Sequence, residues 1–256
     1  MTSQEEQWLL KEKYGGEKCE AFFTDLELLK SGTPLAYLIG SIPFLDCTIH
    51  LDSHPLIPRP ETEYWAEKAI VSIRQYVRTD DRTDVNVLDL CAGSGAIGIA
   101  VAKAVPEAQV DLTDIDAAHL HTVEKNIEQN LTKPFNRLND FTSDLFENIP
   151  QENKYHFILT NPPYVDPEID RAEPSVKLHE PHLALYGGAE GMECIGKIIA
   201  QAPEYLTNDG QLWIEHEPEQ VVAIMKLALE NNFSVTTHND QYNTPRYSVL
   251  CKSVSQ

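Results

Sequence analysis

The segment LDLCAGSGAIG at residues 88–98 contains a G-x-G-x-x-G pattern directly after an apolar run. The residues before it, VNVLDL at 85–90, predict a buried strand, and AIGIAVAKAV after it predicts a helix that stops at Pro106. A strand, a glycine turn and a helix in this order form the nucleotide-binding unit of doubly wound sheets. The segment therefore predicts an α/β fold that binds a nucleotide or a related molecule at this turn.

Strands and helices alternate through the rest of the chain. The predicted strands lie at residues 85–90, 108–114, 137–141, 155–160, 211–216, 233–238 and 246–252. Helices are predicted between strands, among them 96–105 and 117–130. This alternation predicts a doubly wound, mostly parallel seven-stranded sheet. Ligands of such sheets bind outside the carboxyl ends of the strands, where Asp89, Asp114 and Asn161 fall.

The residues ahead of this alternation form a smaller region. Apolar spacing predicts helices within 8–14 and 21–30, and partial alternation over 44–57 predicts a β-hairpin. A further helix is predicted from Pro60 to about Val77. We therefore expect three regions: a small helical region at 1–43, a β-hairpin and linker helix at 44–84, and the α/β domain at 85–256.

The composition is strongly acidic, with 20 Lys and Arg residues against 40 Asp and Glu residues and a formal net charge of -20. Such a surface repels a phosphate backbone, so a basic protein or a small ligand is a better partner than a nucleic acid. No apolar run reaches the length of a membrane span and the N-terminal residues lack a secretory signal, so we expect a cytoplasmic protein without membrane association. The cysteines are scattered without a C-x-x-C pattern, which argues against a disulfide framework and a zinc site.

The glycine turn also satisfies the dinucleotide fingerprint, because Asp114 follows Gly93 by roughly 20 residues. The residue that speaks against a dinucleotide is Asp89, whose carboxylate ends the strand before the turn and would face a bound pyrophosphate. S-adenosylmethionine has no phosphate, and its methionyl end carries an ammonium and a sulfonium, so the same carboxylate attracts it. The turn therefore predicts S-adenosylmethionine, with Gly93 and Gly95 close to its ribose and methionyl group.

Two further carboxylates suit the nucleoside part of this ligand. Asp114, at the end of the next strand, is expected to accept hydrogen bonds from the two ribose hydroxyls. Asp144 is expected to accept one from the adenine amine, with Leu145 and Phe146 flanking the ring. An aspartate at this position can instead cap a short turn, so the assignment of Asp144 has a structural alternative.

The tetrapeptide Asn161-Pro162-Pro163-Tyr164 follows the strand predicted at 155–160, beside the expected position of the methyl donor. A conjugated nitrogen attacks a methyl group only when its hydrogens are held by two fixed acceptors. The Asn161 side-chain oxygen supplies one, and the Pro162 carbonyl supplies the other because the adjacent prolines fix its direction. Tyr164 is expected to lie against a flat substrate group. The pattern predicts methyl transfer to a planar nitrogen through positioning and electrostatic stabilisation.

Together these motifs resemble the HemK/PrmC family of methyltransferases, which modify the glutamine of the Gly-Gly-Gln motif in peptide chain release factors. The matching segments are YLIG at 37–40, IPRPETE at 57–63, LDLCAGSGAIGIA at 88–100, SDLF at 143–146, NPPYV at 161–165 and HEPHLALYGGAEGM at 179–192. NPPY is shared with amino methyltransferases that act on DNA and RNA, whereas IPRPETE ahead of the glycine turn is much more specific to release factor methylation. Cys91 and Ala92 stand where glycine and threonine are frequent in the family.

The resemblance implies roles for the individual site residues. It implies that S-adenosylmethionine is held by Asp89, Gly93, Gly95, Asp114, Asp144 and Asn161. It implies that the glutamine amide is held by Asn161, Pro162, Pro163 and Tyr164, with Asn161, Pro162 and Tyr164 as the catalytic residues. It also implies that the substrate channel is shaped by Pro58, Arg59, Glu61 and Glu180. We therefore expect a monomeric protein-glutamine methyltransferase without a metal, whose residues 1–43 recognise the release factor.

Three other functions compete with this interpretation. An amino methyltransferase acting on adenine or cytosine in nucleic acid agrees with NPPY, but the acidic charge and the lack of a Lys/Arg-rich stripe count against it. A Rossmann-type oxidoreductase leaves NPPY unexplained, and the intact Asn161 and Asp114 argue against a non-catalytic scaffold that only binds S-adenosylmethionine. His119, His121 and His216 lack metal-binding spacing and are predicted to be surface or packing residues.

Overall fold

The computed structural model describes residues 3–79, 84–132, 138–169 and 171–252, and short helices form the N-terminal part of the described chain. They are α1 (Gln4–Glu12), α2 (Glu20–Lys30) and α3 (Leu35–Ile39). Their apolar side chains form a separate small core made of Leu9, Phe22, Leu26 and Leu38. The first two helices confirm the sequence prediction, whereas the single-turn α3 was not predicted.

An antiparallel hairpin of β1 (Ser41–Phe44) and β2 (Cys47–His50) follows these helices. The predicted ribbon at 44–57 was displaced toward the N-terminus, and the hairpin runs from Ser41 to His50. The chain already turns at Leu45, whose φ of +48° lies in the left-handed region. The predicted boundary between residues 43 and 44 therefore falls inside β1. The hairpin contributes its buried side chains to the large core beside the central sheet rather than to the core of the N-terminal helices.

The helix α4 (Pro60–Thr79) connects the hairpin to the central sheet and runs slightly beyond its predicted end. Its buried residues Trp65, Ala69 and Ile73 recur every four positions, so one stripe of the helix faces the core. The carboxylate of Glu63 accepts the backbone N–H of Leu45 at 2.6 Å and so fixes the hairpin turn to the first turn of α4.

Within the described residues, seven strands form the central sheet. They are β3 (Val85–Leu90), β4 (Ala108–Asp114), β5 (Leu138–Thr142), β6 (Tyr155–Thr160), β7 (Leu206–Glu215), β8 (Phe233–Asn239) and β9 (Pro245–Lys252). Their order is β5-β4-β3-β6-β7-β9-β8, and β9 runs antiparallel to both of its neighbours while the other pairs are parallel. This confirms the predicted doubly wound, mostly parallel seven-stranded sheet, with its switch point between β3 and β6.

Four strands differ from their predicted bounds, and β8 and β9 differ by one residue each. The strand β7 begins at Leu206, earlier than predicted, because a register shift beside Tyr155 and Phe157 accommodates the residues around Gly210. The strand β5 covers Leu138–Thr142, and residue 137 of the prediction lies outside the described residues.

In the described residues, the α-helices that follow β3 are α5 (Ala96–Ala104), α6 (Leu120–Asn130), α7 (Pro174–His179), α8 (His182–Leu185), α9 (Glu193–Tyr205) and α10 (Val221–Glu230). Residues of α4, α5 and α6 belong to one large core and residues of α9 and α10 to the other, as in a doubly wound fold. None of the helices in the described ranges combines the length and the apolar character needed to cross a lipid bilayer.

The burial of the hairpin predicts that it stabilises the sheet domain directly. Ile49→Ala should lower the free energy of unfolding by about 2–4 kcal/mol, because Ile49 is fully buried in the large core. The matched variant Thr48→Ala, on the exposed side of the same strand, should change it by less than about 0.5 kcal/mol. Urea unfolding of the full chain measures both, and equal effects of the two variants would contradict this packing.

Candidate active site

The carboxyl ends of neighbouring parallel strands meet at one edge of the sheet. Leu90 of β3 pairs with Thr113 of β4 and with Thr160 of β6. The residues that follow these partners along the chain, Asp114 and Asn161, therefore lie at the same edge, and both line one cavity there. The structure thus brings together two of the polar residues that the sequence placed at strand ends.

The carboxylate of Asp114 organises the glycine turn. Its Oδ2 accepts the N–H of Gly93 at 2.8 Å, and its Oδ1 accepts the N–H of Asp116 at 2.9 Å. Gly93 and Gly95 have φ values of +53° and +78°, which glycine adopts without strain. Each carboxylate oxygen of Asp114 has a further lone pair, so the side chain can still accept two hydroxyl groups of a ligand.

Cys91 begins the turn in an uncommon backbone conformation. Its φ of +62° lies in the left-handed region, which costs a residue other than glycine about 1–3 kcal/mol. This strain explains why glycine suits the position. A hydrogen bond with the thiol of Cys194, together with burial, raises the pKa of the Cys91 thiol well above its usual value.

Asp89 lies beneath the turn and is fully buried, and it is not among the described residues that line the cavity. Its Oδ2 accepts the N–H of Gly98 at 2.7 Å, and its Oδ1 has no hydrogen-bond partner within the described chain. A side chain at Gly98 would approach both Asp89 and Leu112 to 3.0 Å or less, so this glycine permits close contact between α5 and the sheet. Burial raises the pKa of Asp89 to about 7.

The cavity beside the turn has a volume of about 230 Å³ and an acidic wall. Asp114, Asp116, Asp144 and Glu193 contribute carboxylates to this wall, whereas Lys197 contributes an ammonium group. S-adenosylmethionine fits such a wall, because its ribose hydroxyls, adenine amine and methionyl ammonium all donate hydrogen bonds. A diphosphate would instead meet repulsion from these carboxylates.

The segment after β5 agrees only in part with the predicted adenine site. Asp144 is exposed at the cavity wall, and Leu145 also lines the cavity. Phe146 was expected beside the adenine ring, and this expectation was wrong. Leu145 has a φ of +49°, which turns the chain so that Phe146 stacks on Tyr205 in the core with ring centroids 4.6 Å apart.

A second, larger cavity of about 920 Å³ adjoins the first. Leu56, Asn161 and Ala184 line both cavities, whereas Arg59 and Tyr164 line the larger one alone. Asn161 therefore stands where the two cavities meet, between the smaller cavity beside the glycine turn and the larger cavity.

The tetrapeptide at the junction holds its polar atoms in defined directions. The Nδ2 of Asn161 donates to the hydroxyl of Thr62 at 3.3 Å, and the Oδ1 of Asn161 is buried without a hydrogen-bond partner in the described part of the chain. Pro162 is buried, Pro163 lines the smaller cavity and Tyr164 lines the larger one. The predicted acceptor of Asn161 thus has no hydrogen-bond partner among the described residues.

Glu215, the last residue of β7, was missed by the sequence reasoning. Its buried carboxylate accepts three hydrogen bonds: from the hydroxyl of Thr62 at 2.7 Å, from Nε1 of Trp65 at 2.6 Å and from the hydroxyl of Tyr164 at 2.9 Å. Burial raises the pKa of Glu215, and these donors oppose the rise. The available signal was an acidic residue near the end of the strand predicted at 211–216, beside the strand that precedes NPPY.

The glycine-rich segment 187–191 packs directly on this tetrapeptide. A Cβ atom at Gly191, whose φ is +65°, would overlap the backbone carbonyl oxygen of Tyr164. Nε2 of Gln220 donates to the carbonyl oxygens of Tyr164 at 2.8 Å and Glu190 at 3.1 Å. The sequence reasoning also missed Gln220, which joins the two segments.

The IPRPETE segment is held by Glu180. The buried carboxylate of Glu180 accepts the backbone N–H of Ile57 at 3.0 Å and pairs with the guanidinium of Arg59 at 2.6 Å. Arg59 lines the larger cavity, whereas Pro58 and Glu61 are not among the described residues that line either cavity. Glu61 lies in the first turn of α4. The part of these residues in shaping a substrate channel stays a prediction.

The histidines singled out in the sequence occupy different environments. His216 is buried, its Nε2 lies 2.8 Å from the hydroxyl of Ser248, and burial lowers its pKa to about 4. It is a packing residue, as predicted. His119 is also buried, with Nδ1 at 2.9 Å from the hydroxyl of Ser53, and it additionally lines the smaller cavity. His121 is exposed.

The doubly wound sheet, the acidic cavity at its switch point and the adjoining NPPY segment define an S-adenosylmethionine-dependent methyltransferase. Residues 75–176 match the family model described as "Methyltransferase small domain". The N-terminal domain of human METTL16, solved in complex with SAH, shares the fold at 18% identity and a TM-score of 0.57, covering 91% of this chain and 84% of that one.

Two curated relatives narrow this class. The chain is 37% identical over 202 residues to a release factor glutamine methyltransferase of Rhodopirellula baltica, covering 78% of this chain and 67% of the relative. It is 33% identical over 225 residues to one of Thermodesulfovibrio yellowstonii, covering 87% of this chain and 77% of the relative. The chain belongs to the release factor glutamine methyltransferase family.

The burial of Asp89 predicts a pH dependence of stability. Its native pKa of about 7 lies above the unfolded value of 3.8, so the native carboxyl keeps a proton that the unfolded chain has lost. The contribution of Asp89 to the free energy of unfolding therefore falls as the pH rises between these values, by at most about 4 kcal/mol. Asp89→Asn lacks this titration, so urea unfolding should show the wild type losing stability relative to the variant between about pH 4 and about pH 7. A difference independent of pH would contradict the assignment.

The close contact at Gly191 predicts a second effect. Gly191→Ala should lower methyl-transfer turnover by about 10-fold or more, because the added methyl group displaces the Tyr164 carbonyl and with it the NPPY segment. Gly196→Ala within α9 is the matched control, since its added Cβ meets no atom closer than 3.9 Å. Steady-state kinetics on both variants measures the effect, and equal turnover would exclude this packing as a requirement.

Proposed function

We propose that the chain transfers a methyl group from S-adenosylmethionine to the side-chain amide nitrogen of the glutamine in the Gly-Gly-Gln motif of a peptide chain release factor. The observation that carries the proposal is the side chain of Asn161, which stands where the two cavities meet. Its Oδ1 is buried and has no hydrogen-bond partner within the described residues. A buried acceptor without a partner is costly, so its presence at the junction supports a ligand that donates an N–H group.

The tetrapeptide supplies the groups that position the substrate amide. The Oδ1 of Asn161 and the carbonyl oxygen of Pro162 would accept the two amide hydrogens of the glutamine and hold its nitrogen in line with the methyl donor. Pro163 would fix the direction of that carbonyl. The ring of Tyr164 would lie against the planar amide, since its hydroxyl is turned away to Glu215. Positioning and hydrogen bonding thus replace a strong base before the transfer. The nitrogen would form a bond to the methyl group, the sulfur would keep the electron pair of the broken S–CH₃ bond, and one amide proton would then leave to solvent.

The smaller cavity would hold the cofactor. Bound S-adenosylmethionine supplies an electrophilic methyl group on a sulfonium sulfur. Asp114 would accept hydrogen bonds from the ribose hydroxyls, and Asp144 would accept one from the adenine amine. Gly93 and Gly95 would let the backbone approach the ribose and methionyl group, and Asp89 would support the turn from beneath through the hydrogen bond that it accepts from Gly98.

The larger cavity favours a protein substrate over a nucleic acid. Its wall carries two arginine side chains, Arg59 and Arg171, against a greater number of carboxylates, from Asp166, Glu168, Glu173, Glu190, Glu217 and Glu219. Such a wall repels a phosphate backbone, so methylation of adenine or cytosine in nucleic acid is not favoured. A polypeptide substrate carries no such charge along its backbone and can enter this cavity.

The regional roles follow from this proposal. Residues 1–43 would recognise the release factor, residues 44–84 would connect this region to the sheet, and residues 85–256 would bind the cofactor and carry out the transfer. The chain would act as a monomer in the cytoplasm, without direct contact with nucleic acid or membrane.

The junction position of Asn161 gives the test of the mechanism. Asn161→Ala should lower methyl transfer to a release factor by roughly 10²-fold or more, because one acceptor of the substrate amide is lost. Cofactor affinity, measured by isothermal titration calorimetry, should stay close to that of the wild type. Unchanged turnover would exclude Asn161 as an acceptor of the substrate amide.

Asp114→Asn serves as the matched control for the cofactor cavity. It removes the carboxylate that we propose accepts hydrogen bonds from the ribose hydroxyls, so cofactor affinity should fall in this variant. If both variants lost cofactor affinity to the same extent, the division of the site into a cofactor side and a substrate side would be wrong.

A further inference from the structure

A chain of buried hydrogen bonds runs from Glu215 to the junction of the two cavities. Glu215 accepts the hydroxyl of Thr62 at 2.7 Å, and Thr62 accepts Nδ2 of Asn161 at 3.3 Å. Both Thr62 and Glu215 are buried, with 2% and 1% of their surface exposed, so bulk water does not compete for these bonds. The chain ends at the Oδ1 of Asn161, which has no partner among the described residues.

The direction of this chain follows from the chemistry of its members. An ionised carboxylate only accepts hydrogen bonds, and the hydroxyl of Thr62 has a single proton to donate. Because the hydroxyl of Thr62 donates its one hydrogen bond to Glu215, it can only accept a hydrogen bond from Asn161. The side-chain amide of Asn161 must therefore turn its NH₂ group to Thr62 and its oxygen away from Thr62. The opposite rotamer would present a donor to a substrate amide that itself donates.

We propose that Glu215 and Thr62 are positioning residues, which orient the Asn161 side-chain amide so that its oxygen faces the substrate. Glu215 also accepts the hydroxyl of Tyr164, so the same carboxylate fixes both polar side chains of the tetrapeptide. The inference rests on the proposed function, since it takes the Oδ1 of Asn161 as an acceptor of the substrate amide. Neither residue touches the substrate in this account.

The variant Thr62→Val tests this series of hydrogen bonds with little change in side-chain volume. It removes the acceptor for Nδ2 of Asn161, so the amide can rotate, and kcat should fall by about 10-fold or more. Cofactor affinity should stay close to that of the wild type. Thr62→Ser keeps the hydroxyl and should restore most of the lost kcat. The midpoint of thermal unfolding, measured in parallel, identifies any variant that has lost its fold.

A double-mutant cycle separates positioning from a merely structural role. In Asn161→Asp both terminal atoms of the side chain are oxygens, so an acceptor faces the junction in either orientation. Adding Thr62→Val to Asn161→Asp should therefore change the remaining kcat by less than about 2-fold, although it lowers that of the wild type. A loss of the same size in both backgrounds would show that Thr62 acts through general packing and would overturn the inference.

Glu215→Ala provides a second variant should Thr62→Val fail to fold. It removes the carboxylate that accepts the Thr62 hydroxyl, so that hydroxyl can donate to Asn161 and favour the opposite rotamer, and kcat should fall as in Thr62→Val. Full kcat in both Glu215→Ala and Thr62→Val would overturn the inference while leaving the proposed function intact. Full turnover in Asn161→Ala would instead remove the proposed function on which the inference rests.

Discussion

The parallel pairing of β3 with β4 and β6 is the constraint on which the site depends. Because these strands run in the same direction and in register, their carboxyl ends stop at one edge of the sheet. Asp114 and Asn161 are far apart in sequence and reach the same cavity only through this pairing. The next parallel strand, β7, ends at Glu215 on the same edge and supplies the carboxylate behind the tetrapeptide. The fold thus assembles the site from the ends of neighbouring strands.

Buried and partly buried carboxylates brace this edge. Asp89 holds the first turn of α5, Asp114 holds the glycine turn, and Glu180 holds the IPRPETE segment. Glu215 completes the set with three donors. Hydrogen bonds to charged acceptors are stronger than those between neutral groups, and they fix direction as well as distance. In this chain, which has a net charge of -20, some of the Asp and Glu residues therefore accept hydrogen bonds inside the protein, and not all of them contribute only surface charge.

The sequence predicted the strands and helices, which depend on local pattern. It did not predict side-chain directions that depend on contacts between residues distant in sequence. Strand and helix periodicity predicted the sheet, and the strand ends predicted that Asp114 and Asn161 lie at one edge, where both line the same cavity. The hydrogen bond from the amide of Gly98, which holds the carboxylate of Asp89 under the turn, was not predicted. Phe146 was expected at the adenine, but a left-handed residue before it turns the ring into the core. Such outcomes depend on backbone direction and on partners distant in sequence, which a local pattern does not contain.

Peptide mass spectrometry of a release factor incubated with the full chain and S-adenosylmethionine detects the proposed methylation itself. We predict one added methyl group, on the glutamine of the Gly-Gly-Gln motif and on no other residue. A release factor variant without that glutamine should remain unmodified under the same conditions. A wild-type factor that stays unmodified while the chain binds its cofactor would contradict the account, as would a methyl group on another residue.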